Sequence, residues 1–214
     1  MTDGTPNLRE LNKRRTREAI SYAATRLFIE RGFDRTTIAE VAVAAGVAKM
    51  TVTNHFPRKE DLVLDLHEEI VAGLARTVAG RAPGESALAA LRRECLAAID
   101  RHDAALGFSG PAFARTVTES PALVARLREI HEQSEDALGA ALAEATDSPP
   151  ADLTARLAAG LLAAIHRTLF AEVFRRTLAG EGHGSTAEAI RPAAVRAFDQ
   201  LEGALGGYAV RPVA

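Results

Sequence analysis

The 214-residue chain has one cysteine, no tryptophan and only 5% aromatic residues. With Cys95 alone, no intrachain disulfide can form and no cysteine pair can hold a metal. A lone thiol fits a reducing compartment, so a cytoplasmic protein is expected. No run of about 18 apolar residues occurs, so no membrane partner is expected. The opening MTDGTPNLRELNKRRTRE lacks the apolar core of a secretion signal. The chain also lacks G-x-S-x-G, H-E-x-x-H and a phosphate-binding glycine loop. His131 and Glu135 lie one helical turn apart, and His67 and His102 are further candidates, but no third ligand stands at fixed spacing. No metal, cofactor or enzyme activity is therefore expected. A helical-bundle enzyme is the weaker alternative. Cys95 falls on an apolar helix face and reads as a small buried hydrophobe rather than a redox sensor.

What the chain does have is 47% hydrophobic residues, dominated by Ala and Leu, together with many Arg and Glu. These side chains lose little freedom in a helix. The net charge of −2 conceals a division: residues 1–60 hold 11 Lys+Arg against 7 Asp+Glu, and the remainder 15 against 21. A basic first quarter on an acidic remainder points to nucleic acid at the N-terminal end only.

Helical periodicity begins near Lys13, with Ile20, Ala23, Ala24, Leu27 and Phe28 on one face, and stops at Gly32. Thr37 followed by Glu40 has capping-box spacing and opens a second helix, which ends at Gly46. A third covers about residues 48–55 before Pro57, and a fourth runs from Lys59-Glu60-Asp61 toward Ala79. Further helices follow Ser86, Pro111 and Pro121, then span 152–178 and about 186–205. With no strand-like alternation, the fold is expected to be all-α with roughly nine helices. The expected division is a flexible arm (1–12), a helix-turn-helix domain (13–60), a connecting helix (61–80), an effector-binding and dimerisation domain (81–207) and a frayed tail (208–214).

The stretch from Thr37 to Phe56 has what two helices crossing at a sharp angle require. Ala42 is small at the crossing, Gly46 permits a positive φ in the turn, and Ile38, Val41, Ala45, Val47 and Val52 supply the apolar seam. Residues 14–66 resemble the TetR family of regulators, through GF-x-x-T-T, I-A-x-x-A-x-x-A-G-V, a threonine in the third helix and H-F-x-x-K-E-x-L. Beyond residue 80 the likeness is one of length and helix order. Ala48, Met50 and Thr53 depart from the residues frequent in the family.

The resemblance implies a homodimer whose N-terminal domains read adjacent major grooves of a double-stranded DNA operator. It also implies C-terminal helices that bind a small effector. The expected role is a repressor released by that effector, with an effector-independent DNA-binding protein as an alternative. Thr37, at a helix start, can hold a phosphate through its hydroxyl and amide. Lys49 is placed to reach a phosphate or guanine edge, Met50 or Thr51 a thymine methyl, and Thr53 and Asn54 the bases. His55 and Lys59 are expected on the DNA backbone, with Lys13, Arg14, Arg15 and Arg17 as further basic candidates.

For a largely apolar effector, the expected pocket residues are Phe108, Phe113, Leu127, Ile130, His131, Ser134, Ile165, His166 and Phe170. Helix 152–178 is apolar over much of its circumference. A two-fold four-helix seam is expected from this helix, which carries Leu153, Leu157, Leu161, Leu162, Ile165, Leu169, Phe170 and Val173, with Ile190, Val195, Phe198, Leu201 and Leu205 of the last helix.

Overall fold

The computed structural model describes residues 8–213. Within them the chain is all-α: α1 (Leu8–Arg31), α2 (Ile38–Ala45), α3 (Lys49–His55), α4 (His67–Ala79), α5 (Ala87–Asp100), α6 (Pro111–Glu119), α7 (Pro121–Ala145), α8 (Leu153–Leu178) and α9 (His183–Leu205). Single 3-10 turns occupy Glu60–Leu62 and Ala104–Leu106. The expected flexible arm lies partly outside the described residues, at 1–7. Residues 8–12 are already helical, since Leu, Arg and Glu favour a helix from the first turn.

The chain forms two compact units. Among the described residues the first runs to Asp65 and includes Arg115–Val124; the second takes Leu66–Ala114 and everything from Ala125 on. The core of the first unit is built from Ile20, Ala24 and Phe28 of α1, Val41 of α2, Val52 of α3, and Phe33 and Phe56 from the connections. The Phe28 and Phe33 rings meet at 5.1 Å. Ser120 Oγ donates to Asp34 Oδ1 at 3.0 Å, tying the 115–124 segment to the turn after α1.

The fourth helix does not run unbroken from Lys59. Leu62, Val63 and Leu64 are all buried, and three consecutive residues cannot share one helical face. The chain takes a 3-10 turn, unwinds, and resumes as α4 at His67. Asp65 anchors this break: its carboxylate accepts from Ser21 Oγ at 2.6 Å and its carbonyl from Arg17.

In the second unit α5, α8 and α9 pack around a core that includes Leu88, Ile99, Leu138, Leu142, Leu162, Ile190 and Phe198. Ser86 and Asp152 cap α5 and α8 by accepting from the Ala89 and Ala155 amides. Gly107 has φ +98, and an added Cβ there would stand 3.0 Å from the Phe170 carbonyl oxygen, so a glycine lets this loop lie against α8.

Two features differ from the sequence reading. The tail is pinned rather than frayed: Gly84 N donates to Arg211 O, Arg211 N to Glu85 O, and buried Arg81 donates to Ala209 O at 2.8 Å. The same bonds hold residues 81–85 inside the second unit, so no boundary falls there. In addition, α8 contains an 18-residue window of mean hydropathy 1.5, long and apolar enough by composition to span a membrane. Half of that window is buried inside the protein, as a core helix requires.

Candidate functional site

Thr37 opens α2 in an extended conformation and forms the capping box that its spacing predicts. Glu40 N donates to Thr37 Oγ1 at 3.2 Å, and Thr37 N donates to the Glu40 carboxylate at 2.8 Å. The Thr37 hydroxyl also donates to Glu40, at 2.8 Å. These two hydrogen bonds hold the Glu40 carboxyl below its usual range, with Arg31 and Lys59 adding smaller attraction. A phosphate at this helix start would therefore have to displace a carboxylate. Gly46 closes α2 with φ +67 and ψ 30, and Val47 N donates back to Ala42 O at 3.0 Å. That left-handed residue turns the chain into α3 within three residues.

Helix α3 has no side-chain cap at Ala48, as its methyl group dictates. Val52 and Phe56 are fully buried and fix its inner face. Lys49 and Asn54 are exposed, Met50 is 70% exposed, and Thr51, Thr53 and His55 are half-buried. The Thr53 hydroxyl turns back onto its own helix, donating to Met50 O at 3.1 Å. The exposed side of α3 thus offers an ammonium, a thioether and a carboxamide. That combination of charge, polarisable apolar surface and bidentate hydrogen bonding matches a groove of phosphates, thymine methyls and base edges.

Two basic side chains, Arg17 and Lys59, have structural partners. Arg17 donates to His55 O at 2.9 Å and lies 4.3 Å over the Phe56 ring, clamping the end of α3 to α1. Lys59 Nζ donates to Phe33 O at 2.7 Å, 4.2 Å from the centre of that ring. His55 is held below its usual value by burial, and by the positive charges of Lys13 and Arg17, so it is neutral at pH 7. Lys13, Arg14 and Arg15 lie exposed along α1, and Arg14 pairs with Glu18.

The second unit contains a cavity of about 500 Å³ between α4, α5, α8, α9 and the turn around Asp103. Of the nine residues expected to form a pocket, only His166 lines it. Phe108, Ile130, Ser134 and Phe170 are buried in packing, and Leu127 and Ile165 are half-buried. Ser134 Oγ donates to Ile70 O. Phe113, His131 and Phe170 join Phe174 in an aromatic array, with His131 5.0 Å from Phe170 and Phe113 6.5 Å from Phe174. His131 and Glu135 do not form a shared site, because Glu135 pairs with Arg167 at 3.2 Å. No group of three metal-ligating residues occurs among the described residues.

The lining that the sequence reading missed comes chiefly from α4 and α5: Glu69, Ile70, Gly73, Leu74 and Thr77 facing Leu91, Glu94, Cys95 and Ala98. One signal was available. Gly73 interrupts a good helix-forming sequence on the face that carries Glu69 and Ile70. Cys95 is buried in this wall, and burial raises its thiol to about 12, with Glu94 adding to the shift. Such a thiol is inert. Burial and the neighbouring His131 hold His166 down to about 4, against a smaller opposing pull from Asp103, so its ring is neutral at pH 7.

The fold and the α2–α3 geometry define an all-α helix-turn-helix protein. Residues 20–66 match the family of bacterial regulatory proteins named tetR. It is 31% identical over 147 residues to the HTH-type transcriptional regulator TcmR of Streptomyces glaucescens, an alignment covering 66% of this chain and 65% of TcmR. Over 94 residues it is 34% identical to the HTH-type transcriptional repressor AcnR of Corynebacterium diphtheriae, covering 44% of this chain and 46% of that protein. The chain thus spans less than two thirds of the length of either relative. NalD, the secondary repressor of the MexAB-OprM multidrug efflux pump in Pseudomonas aeruginosa, shares the fold. Its TM-score is 0.53 at 23% identity, over 86% of this chain and 97% of NalD.

Proposed function

We propose that this protein is a cytoplasmic, homodimeric transcriptional repressor that binds operator DNA through α3 and leaves it when a small molecule enters the cavity of the second unit. The observation that carries this reading is the α2–α3 turn. A capping box, a left-handed Gly46 and a buried Val52–Phe56 face hold α3 rigidly while Lys49, Met50 and Asn54 stay exposed. Met50, Thr51 and Asn54 are the proposed reading residues, and Lys49 is the proposed phosphate contact. Thr37, Thr53, His55 and Lys59 act mainly by holding the head in shape.

Dimerisation has support from α8. Leu153, Leu157 and Leu161 are 64%, 61% and 49% exposed and recur every four residues, forming an uncovered apolar stripe. Ile190, Phe198 and Leu205, expected in the seam, are instead buried within the chain's own core. Release would follow a population shift: a ligand favours a spacing of two reading heads that no longer fits grooves about 34–36 Å apart. The relatives TcmR and AcnR, a regulator and a repressor, support the same reading.

Selection of duplexes from a random pool by the full-length protein tests it. One enriched two-fold site is expected, and Asn54→Ala should bind that site about tenfold or more weakly. Recovery of no preferred site, or unchanged affinity and preference in Asn54→Ala, overturns the reading.

A further inference from the structure

The cavity carries more hydrogen-bond acceptors than donors. Its lining includes three carboxylates, from Glu69, Glu94 and Asp103, and one cationic side chain, Arg76. Arg76 donates to the Glu69 backbone carbonyl at 3.3 Å rather than to a carboxylate. Arg101, from outside the lining, pairs with Glu94 at 2.8 Å and with Asp103 at 3.2 Å, so those two acids share one guanidinium. The Glu69 carboxylate has no ion pair or hydrogen bond among the described residues. Across the same space, the imidazole of His166 also has no hydrogen-bond partner among them. The walls between these polar groups are apolar: Leu74, Leu91, Leu106, Leu162 and Phe198. The volume of about 500 Å³ lies within the range of small-molecule pockets.

Ligand classes fare differently in such a space. An anion would meet three carboxylates that outnumber the two guanidiniums, of Arg76 and Arg101, beside them. A purely apolar molecule would fill the walls but leave the Glu69 carboxylate and the His166 ring nitrogen without a partner. A cation with an apolar body satisfies both parts, because charge-assisted hydrogen bonds to a carboxylate are stronger than neutral ones.

We propose that the cavity selects an amphipathic organic cation, with its protonated amine or amidine end held by the Glu69 carboxylate and the His166 ring nitrogen and its apolar body against Leu74, Leu91, Leu162 and Phe198. The proposal rests on reading this cavity as the effector site, and it replaces the largely apolar effector expected from sequence.

Calorimetric titration of the full-length protein with octylamine, 1-octanol and octanoate at pH 7.5 tests it, since the three share one tail and differ in head charge. Octylammonium should bind about tenfold more tightly than octanol, and octanoate most weakly. Glu69 is exposed and unpaired, so Glu69→Gln leaves the fold intact and should remove most of the preference for the cation. Equal binding of octylammonium and octanol, absence of binding by all three, or a preference retained in Glu69→Gln overturns the proposal. DNA affinity measured in parallel separates it from the regulatory reading. If all three bind equally and weaken DNA binding, the cation class fails while the effector cavity stands. If octylammonium binds with the expected preference and DNA affinity is unchanged, the cation site stands and its role as effector site fails.

Discussion

In the first unit the Phe56 ring is fully buried beneath the Arg17 guanidinium, and helices of eight and seven residues meet at a turn where Gly46 takes a left-handed conformation. In the second unit Gly73 sits mid-helix with nothing within 4 Å of where a Cβ would stand, beside a cavity of about 500 Å³. Short helices have few backbone bonds of their own, so the first unit depends on caps, clamps and one buried ring to fix its angle. Helices of 14 to 26 residues, such as α5, α8 and α9, can bury a continuous core and still leave a hole. A rigid head suits a task set by groove geometry. A core with a cavity suits a task set by whatever fills it.

The comparison is broken most severely at Phe56. Phe56→Ala removes a fully buried ring and should destabilise the first unit by about 3–5 kcal/mol, measured by urea unfolding. DNA binding should be lost while octylammonium still binds. Simultaneous loss of both would show that the units do not behave independently. A second test uses pH. In the fold, His166 is held down to about 4 against an ordinary 6.5. Below pH 6.5 the unfolded chain binds a proton that the folded chain refuses, so stability falls as pH drops toward 4. Between pH 7 and 5 the loss should be on the order of 1–2 kcal/mol. His166→Gln should lack that part of it; an identical pH dependence in the variant would show that His166 titrates normally.

Gly73→Leu sharpens the contrast from the other side. It replaces a helix-interior glycine and fills open space, so it should stabilise by about 1 kcal/mol and raise Tm by roughly 2–4 °C. It should also abolish ligand binding and leave a repressor that no effector releases. A fall in Tm would mean the space beside Gly73 is not free. The smallest effects separate two lysines. Lys49→Ala should weaken binding to all DNA sequences and flatten the salt dependence by about one unit. Lys59→Ala, which removes the bond to Phe33 O, should lower stability by about 1 kcal/mol and leave the salt slope unchanged. A flattened slope in Lys59→Ala would return Lys59 to the DNA contacts.

The same contrast explains what could be read in advance. The helix-turn-helix rests on local rules: Thr37 and Glu40 lie three residues apart, Gly46 marks a positive φ, and Pro57 stops α3. Each is visible within a few positions of sequence. The helix count and most helix boundaries were legible for the same reason, through periodicity and caps at Ser86 and Asp152. The break at Val63–Asp65 was not, because it depends on which neighbours bury three adjacent apolar residues. The pinned tail depends on Arg81 meeting Ala209, 128 residues away. The cavity is an absence between α4, α5, α8 and α9, and periodicity marks a buried face without showing whether it touches a neighbour. Phe108, Ile130 and Phe170 are apolar or aromatic, which marks them for burial rather than for lining a cavity. The charges of Lys59 and Arg17 are visible in sequence and suggest DNA, whereas the carbonyls and rings that receive them are not visible there.

Hydroxyl-radical footprinting of the full-length protein on its selected duplex tests the central claim most directly. The account predicts two protected patches related by two-fold symmetry, about 34–36 Å apart, that disappear when octylammonium is added to the wild type and persist in Gly73→Leu. A single patch, or uniform protection unaffected by the ligand, would contradict it.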